Sequence, residues 1–448
     1  MIAEWKAFDG AELAVGFDPA DAQPRWRVVA PQDDGVLAAL ITSLRLSGGD
    51  DAPSVGDPPV MVRRLGGPGS AVGARLPEGV AFAGRPPELA AAVARLRSKA
   101  GADLRVFETL PSDLDGSGFL LTIDPDKFGL PATVDLTLAR IATAARAAGL
   151  KTTLGRLALE DDHLDLNLAT NLDPERRLGP DDQPPALDPS WAACVPVDGV
   201  QAALTIAFGR GAGFWNRVFE VADRVDRADP ARAELAPLRI RLNLLAAARG
   251  VRLEANLWPM LRGVTVAALT DPAQPGRTAG VLLALHAERP EAADRILSQV
   301  VAPLSGSGRG MVGEGAKPRA LGELSGRPLE AASRGSTVFV GWGEGMLERG
   351  LRSIDEPDRS AAKVIAGAAE GGRAVNRAAL YWPGRLTFPI AGFRPSSPLT
   401  ASLSTGSPII WTGGEEGGRA WDLVRWPDLR RLVARFLDQV PQAPPAAP

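Results

Sequence analysis

The chain has 448 residues, a formal net charge of −3 and an apolar fraction of 45%. A chain of this length exceeds one ordinary core, so we expect two or three domains. With 23% charged residues, the composition is that of a folded globular protein. The slightly negative total charge provides no bulk positive field, so composition gives no reason to expect nucleic acid or anionic lipid as a partner.

The sequence limits the covalent and metal chemistry that the chain can carry. Cys194 is the only cysteine, which excludes an intrachain disulfide and a thiolate metal site. Charged Glu4, Lys6 and Asp9 stand where a signal peptide would need an apolar core. No run of about 18 apolar residues occurs, so no membrane span is predicted. We also predict no cofactor and no metal.

An internal repeat organises the sequence. Residues 5–28 and 258–281 align without a gap, and the identical pairs include Trp5/Trp258 and Gly10/Gly263. Each copy then shows a strand, an Asp-Pro turn, a second strand, a helix, a Gly-rich stretch, a strand and a final helix. We therefore predict that residues 5–97 and 258–353 share one strand–strand–helix–strand–helix arrangement.

The element boundaries follow from hydrophobic periodicity and turn residues. The predicted strands of the two copies are 12–17, 25–30, 264–270 and 280–285, and the predicted helices are 35–46, 86–97, 291–303 and 345–353. Short strands that alternate with helices indicate an α+β fold, in which tandem repeated modules of mostly antiparallel sheet are covered by helices on one face.

Outside the two copies, the pattern predicts further elements. These are a helix over 134–148, a hairpin of 157–159 and 163–169 across the turn 160–162, helices over about 213–227 and 230–249, strands over 386–390 and 409–411, and a C-terminal amphipathic helix. Pro237 is expected to kink or split the 230–249 helix, and Pro427 to supply the first turn of the last helix. In that helix we expect Phe436 and Leu437 to be buried.

Three segments are predicted as domains. Residues 1–105 are the second part of a first repeat unit, 106–358 are a complete second unit with sub-parts 106–190 and 191–358, and 359–448 form C-terminal strands plus the amphipathic helix. The second unit has about 150 residues ahead of Trp258, whereas the first has four ahead of Trp5. We therefore expect the native gene product to extend upstream, with another front part and an export or anchoring segment.

Several motifs carry a family resemblance. They are a Pro-x-Asp that opens a strand, a Trp-x-x-φ-x-Gly turn, the helix start Glu-Arg-Pro-Glu-Ala-Ala at 288–293, and a strand–Gly–helix closure at 338–351. The chain resembles uncharacterised bacterial cell-envelope proteins built from tandem repeats. The resemblance implies other envelope proteins as partners and no established activity. It implies a periplasmic or envelope location if an upstream export segment was removed, and otherwise a cytoplasmic one.

Two polar motifs are candidates for binding sites. The acidic cluster from Glu160 to Asn167, which includes His163, could hold a divalent cation, but an acidic hairpin turn is the favoured interpretation. We predict that Asp161 and Asp162 are exposed and bind no metal. The glycine-rich stretch 306–315 lacks the Gly-Lys-Ser/Thr of a phosphate loop and is interpreted as a linker. His286, in an apolar strand, is interpreted as a buried strand-end histidine with its hydrogen bonds satisfied.

The aromatic composition is skewed, with ten Trp and one Tyr. Core packing is the favoured interpretation of the late tryptophans, and a ligand-binding surface formed by Trp382, Trp411 and Trp421 is the alternative. No catalytic residues are identified. The leading hypothesis is a non-catalytic structural or interaction protein of a bacterial cell envelope. The alternatives are a glycan- or apolar-ligand-binding module that uses the Trp-rich surface, and a carboxylate-dependent hydrolase.

Overall fold

The computed structural model divides the chain into two compact units. Unit 1 comprises residues 1–175 and 418–422, and unit 2 comprises 176–417 and 423–448. The structure describes residues 12–17, 24–30, 48–65, 72–97, 119–123, 149–159, 163–173, 178–179, 182–210, 212–228, 235–271, 274–305, 319–368, 374–382, 407–416 and 418–428.

Unit 1 is an antiparallel sheet with one parallel pairing among its described strands. The strands are β1 Glu12–Phe17, β2 Pro24–Ala30, β3 Gly48–Val55, β4 Val60–Leu65, β5 Val72–Leu76, β6 Gly79–Ala83, β7 Phe119–Ile123, β8 Leu150–Leu159 and β9 His163–Leu172. Their order is β3–β4–β5–β6–β2–β1–β7–β8–β9. Only β1 and β7 run parallel.

Helix α1, Pro86–Arg97, covers part of the unit 1 sheet. Its two leading prolines occupy the first turn, where a missing backbone N–H costs nothing. Leu89 and Val93 are buried against Val62, Ala81 and Ala83 of the sheet. The spacing of these helical residues places them on one face, so burial of that face holds the helix on the sheet.

Unit 2 is an antiparallel sheet with helices on both faces. Its strands are β10 Val200–Ala207, β11 Leu261–Asp271, β12 Gln274–Ala287, β13 Arg319–Leu324, β14 Arg327–Arg334, β15 Thr337–Trp342, β16 Arg377–Tyr381 and β17 Ile409–Glu416. Their order is β13–β14–β15–β12–β11–β10–β16–β17. A boundary between the two units falls within strand β18, Arg419–Pro427, because residues 418–422 belong to unit 1 and residues 423–448 to unit 2.

The helices of unit 2 are also numbered in chain order. They are α2 Ala212–Ala228, α3 Leu235–Ala248, α4 Leu253–Asn256, α5 Pro290–Ile296, α6 Ala302–Ser305, α7 Met346–Asp355 and α8 Ala361–Ala368. A π-helical turn, Leu297–Val301, joins α5 to α6. A 3-10 segment, Pro189–Cys194, precedes β10.

The two faces of the unit 2 sheet are covered by different elements. On one face, Leu282 and Phe339 are buried with Met346 and Leu347 of α7 and with Ile365 of α8. On the other, Ala331 and Val338 are buried with the α5 residues Ala293 and Ile296. An α+β fold with large antiparallel sheets is therefore confirmed. The expectation of helices on one face only is wrong for unit 2, because the apolar stripe of α5 is buried against the second face.

The structure agrees with some predicted boundaries and corrects others. The predicted strand 12–17 and helix 86–97 have the observed bounds, and β8 and β9 form the predicted hairpin. Strands β11 and β12 are longer than predicted. The predictions for 35–46, 134–148, 160–162, 306–315, 386–390 and 429–440, which include Asp161, Asp162, Phe436 and Leu437, lie outside the described residues.

Both proline predictions need correction. Pro237 lies in the first turn of α3, where proline removes no helical hydrogen bond, so it begins the helix and does not kink its interior. Pro427 is the last residue of β18 and not the first turn of a helix.

The observed division also differs from the predicted segments. The predicted boundary after residue 105 falls inside unit 1, because β7 pairs with β1. The predicted boundary after residue 358 falls inside unit 2, because β16 pairs with β10.

Leu347 tests the unit 2 core. The side chain of Leu347 is fully buried, so Leu347→Ala should lower the free energy of unfolding by roughly 2–5 kcal/mol. Leu324→Ala is the matched control, because Leu324 is 56% exposed and should lose less than about 0.5 kcal/mol. Urea denaturation followed by far-UV circular dichroism measures both. Equal losses in the two variants would contradict the placement of α7.

Candidate functional site

A row of buried polar side chains crosses the centre of the unit 2 sheet. Thr205, Thr265, His286 and Thr337 lie on four neighbouring strands and are all buried. His286 Nε2 lies 2.9 Å from Thr265 Oγ1, and its Nδ1 lies 3.0 Å from Thr337 Oγ1. The Trp191 ring stacks on the imidazole with 4.7 Å between centroids. The row is therefore closed off from solvent by an aromatic ring.

The hydrogen bonds assign the tautomer of His286. The Thr265 hydroxyl donates its one hydrogen to one of two acceptors, the Trp191 carbonyl oxygen or Thr205 Oγ1, each 3.1 Å from Thr265 Oγ1. Thr265 Oγ1 then accepts from Nε2–H of His286, while Nδ1 accepts from the Thr337 hydroxyl. Burial lowers the pKa of His286 to about 3, and Asp188 opposes this shift only in part. The prediction of a satisfied strand-end histidine is confirmed.

Gly263 makes room for this arrangement. It lies opposite His286 in the β11–β12 ladder. A Cβ at this position would collide with the Trp191 ring and with the backbone oxygen of Ile206. The glycine of the predicted Trp-x-x-φ-x-Gly turn is thus required for the close approach of an aromatic ring to the sheet.

The protonation of His286 can be measured directly. In a His163→Gln variant with ¹³C-labelled histidine, the remaining Hε1 resonance belongs to His286. We expect its chemical shift to stay constant from about pH 8 to about pH 5, because the folded-state pKa of about 3 keeps the ring neutral. A titration midpoint near 6.5 would show that the ring is solvated and would contradict the network.

A small polar cavity of about 150 Å³ lies beside α7 in unit 2. Its lining comprises Pro196, Asp198, Arg349, Arg352, Ser353, Glu356 and Arg359. All three arginines are engaged. Arg349 donates to the Thr270 carbonyl over 3.1 Å, Arg352 pairs with an acidic residue one turn before it, and Arg359 lies 3.2 Å from Asp198. The positive charges of the cavity are thus balanced by neighbouring acceptors.

The predicted tryptophan surface does not form as expected. Trp382 is only 2% exposed and belongs to the unit 2 core, so it offers no surface for a ligand. Trp411 is half-buried on the opposite face of the sheet, where the Arg377 guanidinium lies 5.7 Å from its ring centroid. Trp421 is half-buried in β18, in the segment that belongs to unit 1. The alternation of strand side chains separates Trp382 from Trp411.

The acidic hairpin contains a polar contact between two side chains of β9. His163 Nε2 lies 3.5 Å from Asp165 Oδ2, and Asp165 is buried on β9. Within the described ranges, no three His, Cys, Asp or Glu side chains are grouped so as to hold a metal ion. Cys194 is buried, and burial raises the pKa of its thiol to about 12.

Helices α2 and α3 form a hairpin whose base is fixed to unit 2 by aromatic side chains. Trp215 lies within 4.8 Å of the Phe208 and Trp258 ring centroids and 5.3 Å from that of Phe214. Trp215 Nε1 donates to the Trp258 carbonyl over 3.2 Å. This aromatic cluster attaches the hairpin through the residues that enter α2 and leave α3.

The two helices also hold each other. The Asp226 carboxylate of α2 accepts from the backbone N–H groups of Leu235 and Ala236, at 3.2 and 2.5 Å. It therefore satisfies donors that the first turn of α3 leaves unpaired. Arg239 lies 3.1 Å from Asp223 and 5.1 Å from the centroid of the Phe219 ring. These contacts fix one side of α3 against α2.

The rest of α3 carries an unusual set of exposed aliphatic side chains, which we call the leucine surface. Its members are 44–65% exposed and comprise Leu235, Leu238, Ile240, Leu242, Leu244 and Leu245. At 100° per residue, they lie on an arc of about 220° that faces away from α2. Periodicity predicted the helix but not this surface. The sequence does carry a signal of this surface, because the six aliphatic residues are spread too widely around the helix to lie on one narrow apolar stripe.

No family model, curated protein or solved structure matches the chain. Among the helices that the structure describes, none combines the length and apolar character needed to cross a bilayer. The α2–α3 hairpin is therefore the candidate functional site, on the basis of its exposed leucine surface.

Proposed function

We propose that this protein is a non-catalytic interaction protein that binds an apolar partner surface through the leucine surface of α3. The observation that carries the proposal is the exposure of six large aliphatic side chains on one helix of 14 residues. Soluble monomers rarely expose large contiguous apolar patches, and such patches mark interaction sites.

Burial of the leucine surface would contribute a substantial part of a binding free energy. Full burial of a Leu or Ile side chain stabilises a complex by about 1.5–3 kcal/mol. These side chains are already about half covered, so each retains roughly 1 kcal/mol for a partner. Six together can offset part of the entropy that association costs.

The hairpin is also built to present this surface. The aromatic cluster fixes its base, and the Asp226 carboxylate caps the start of α3. The contact of Arg239 with Phe219 and Asp223 fixes the side that faces α2. The leucine surface is consequently held in place before a partner arrives, which reduces the entropy lost on binding.

We also infer that part of unit 2 repeats part of unit 1. Strand order supports this proposal: β5–β6–β2–β1 in unit 1 corresponds to β14–β15–β12–β11 in unit 2. In each unit a helix follows the last of these four strands along the chain, α1 after β6 and α7 after β15. The two units differ in the strand that pairs with the outer side of this set. In unit 1, β7 runs parallel to β1, whereas in unit 2, β10 runs antiparallel to β11.

We place this binding activity at a bacterial cell envelope, with other envelope components as partners. The support for that location is the resemblance in sequence motifs to envelope proteins built from tandem repeats.

An apolar fluorescent dye tests the surface itself. We compare the wild type with the triple variant Leu238→Gln, Leu242→Gln and Leu245→Gln, because glutamine keeps the helix propensity of leucine. Bis-ANS reports exposed apolar surface, and its fluorescence should fall by more than about half in the triple variant. Far-UV circular dichroism should show an unchanged helix content.

Leu324→Gln is the matched control for the dye. Leu324 is 56% exposed on β13 and lies outside the hairpin, so the dye signal should stay at the wild-type level. Equal dye binding by the wild type and the triple variant would refute the proposed function.

A further inference from the structure

We infer that the apolar partner of the leucine surface is a membrane surface that carries anionic lipid headgroups. This inference rests on the proposed function and specifies its partner. It commits to a lipid surface, as distinct from a second copy of the chain or a protein groove.

The charges on α3 itself and on the four residues that follow it are all positive, and Glu234 and Glu254 lie just outside this range in the sequence. Residues 235–252 contain four arginines and no acidic residue. Arg239 is engaged with α2. Arg241, Arg249 and Arg252 are exposed and form no ion pair with the part of the chain that the structure describes. The total charge of −3 conceals this local excess. Aliphatic side chains beside unpaired arginines complement an apolar surface that bears negative charge.

The distribution of the side chains around the helix favours lipid over a protein groove. A groove typically contacts one narrow stripe of a helix, at positions i, i+3 or i+4, and i+7. The leucine surface spans about 220° of the circumference, and Arg241 lies within that arc between Leu244 and Leu245. A fluid interface accommodates a wide arc, and the long arginine side chain can extend from it to the headgroups.

The same charges disfavour pairing of the leucine surfaces of two copies. Such a dimer would bring the arginines of one α3 towards those of the other without an acidic residue between them in either helix. Like charges brought together in an interface oppose association. The length of α3 is also informative: 14 residues extend about 21 Å, less than the roughly 30 Å hydrocarbon core. The helix therefore lies in the interface and does not cross the bilayer.

Vesicle co-sedimentation of the full chain tests the inference. One set of vesicles is pure phosphatidylcholine, and the other contains about 30% phosphatidylglycerol. We expect the wild type to partition onto the anionic vesicles and to be released by about 0.5 M NaCl, which screens the charges. The triple leucine-to-glutamine variant should lose binding. Arg241→Gln with Arg249→Gln should weaken partitioning about 30-fold, or about fivefold per arginine.

Two controls match these variants. Leu324→Gln removes an exposed leucine outside the hairpin, and Arg352→Gln removes an exposed arginine on α7. Both should bind anionic vesicles as the wild type does. If either control loses binding to the same extent as its α3 counterpart, the assignment to α3 is overturned.

The outcomes separate the partner from the proposed function. Equal binding to both sets of vesicles would overturn the anionic component. Absence of vesicle binding, with leucine-dependent dye binding retained, would overturn the membrane partner and leave the proposed function standing. Sedimentation velocity identifies the remaining case: a dimer that the triple variant dissociates would assign the leucine surface to a second copy and overturn the inference.

Discussion

The unit 2 sheet depends on the buried hydrogen-bonded row of Thr205, Thr265, His286 and Thr337. Each of these groups is removed from water, and each would cost about 1–3 kcal/mol if left without a partner. Because the row spans four strands, a shift of one residue in any pairing would move a polar side chain to the opposite face and leave its neighbour unsatisfied. The row therefore specifies the register, and Trp191 closes it. Strand β10 is held by this register, and the α2–α3 hairpin begins a few residues after it.

The hairpin combines a rigid attachment with an exposed apolar surface. The aromatic cluster around Trp215 and the cap at Asp226 hold the helices without using the leucine surface. Helix α2 covers only one side of α3. The aliphatic side chains of α3 therefore cannot all be buried within the hairpin. Large exposed apolar surfaces mark interaction sites, which supports the proposed partner. The local excess of arginine specifies the charge of that partner, which the total charge of the chain does not reveal.

Local signals were sufficient to predict some elements, whereas features that depend on distant neighbours were not predictable. The bounds of α1 follow from the prolines at its start and from its apolar spacing, both of which are local. The length of β12 could not be predicted, because pairing with β11 and β15 extends it beyond its apolar segment. Periodicity did not predict strand β16, and the burial of Trp382 directly after that strand depends on distant residues of the unit 2 core. The residues of the leucine surface were visible in the sequence, but their exposure could not be predicted, because it depends on which sides of α3 other elements cover.

The most direct test of the account is whether α3 enters lipid. A nitroxide attached to Leu244→Cys reports the environment of the leucine surface, because Cys194 is 1% exposed and does not compete for the label. Leu324→Cys provides the reference site. On anionic vesicles, we predict that electron paramagnetic resonance shows more collisions with oxygen and fewer with a water-soluble nickel chelate at residue 244, and no change at residue 324. If residue 244 remains as accessible to the nickel chelate as it is in buffer, the leucine surface does not contact lipid and the account is wrong.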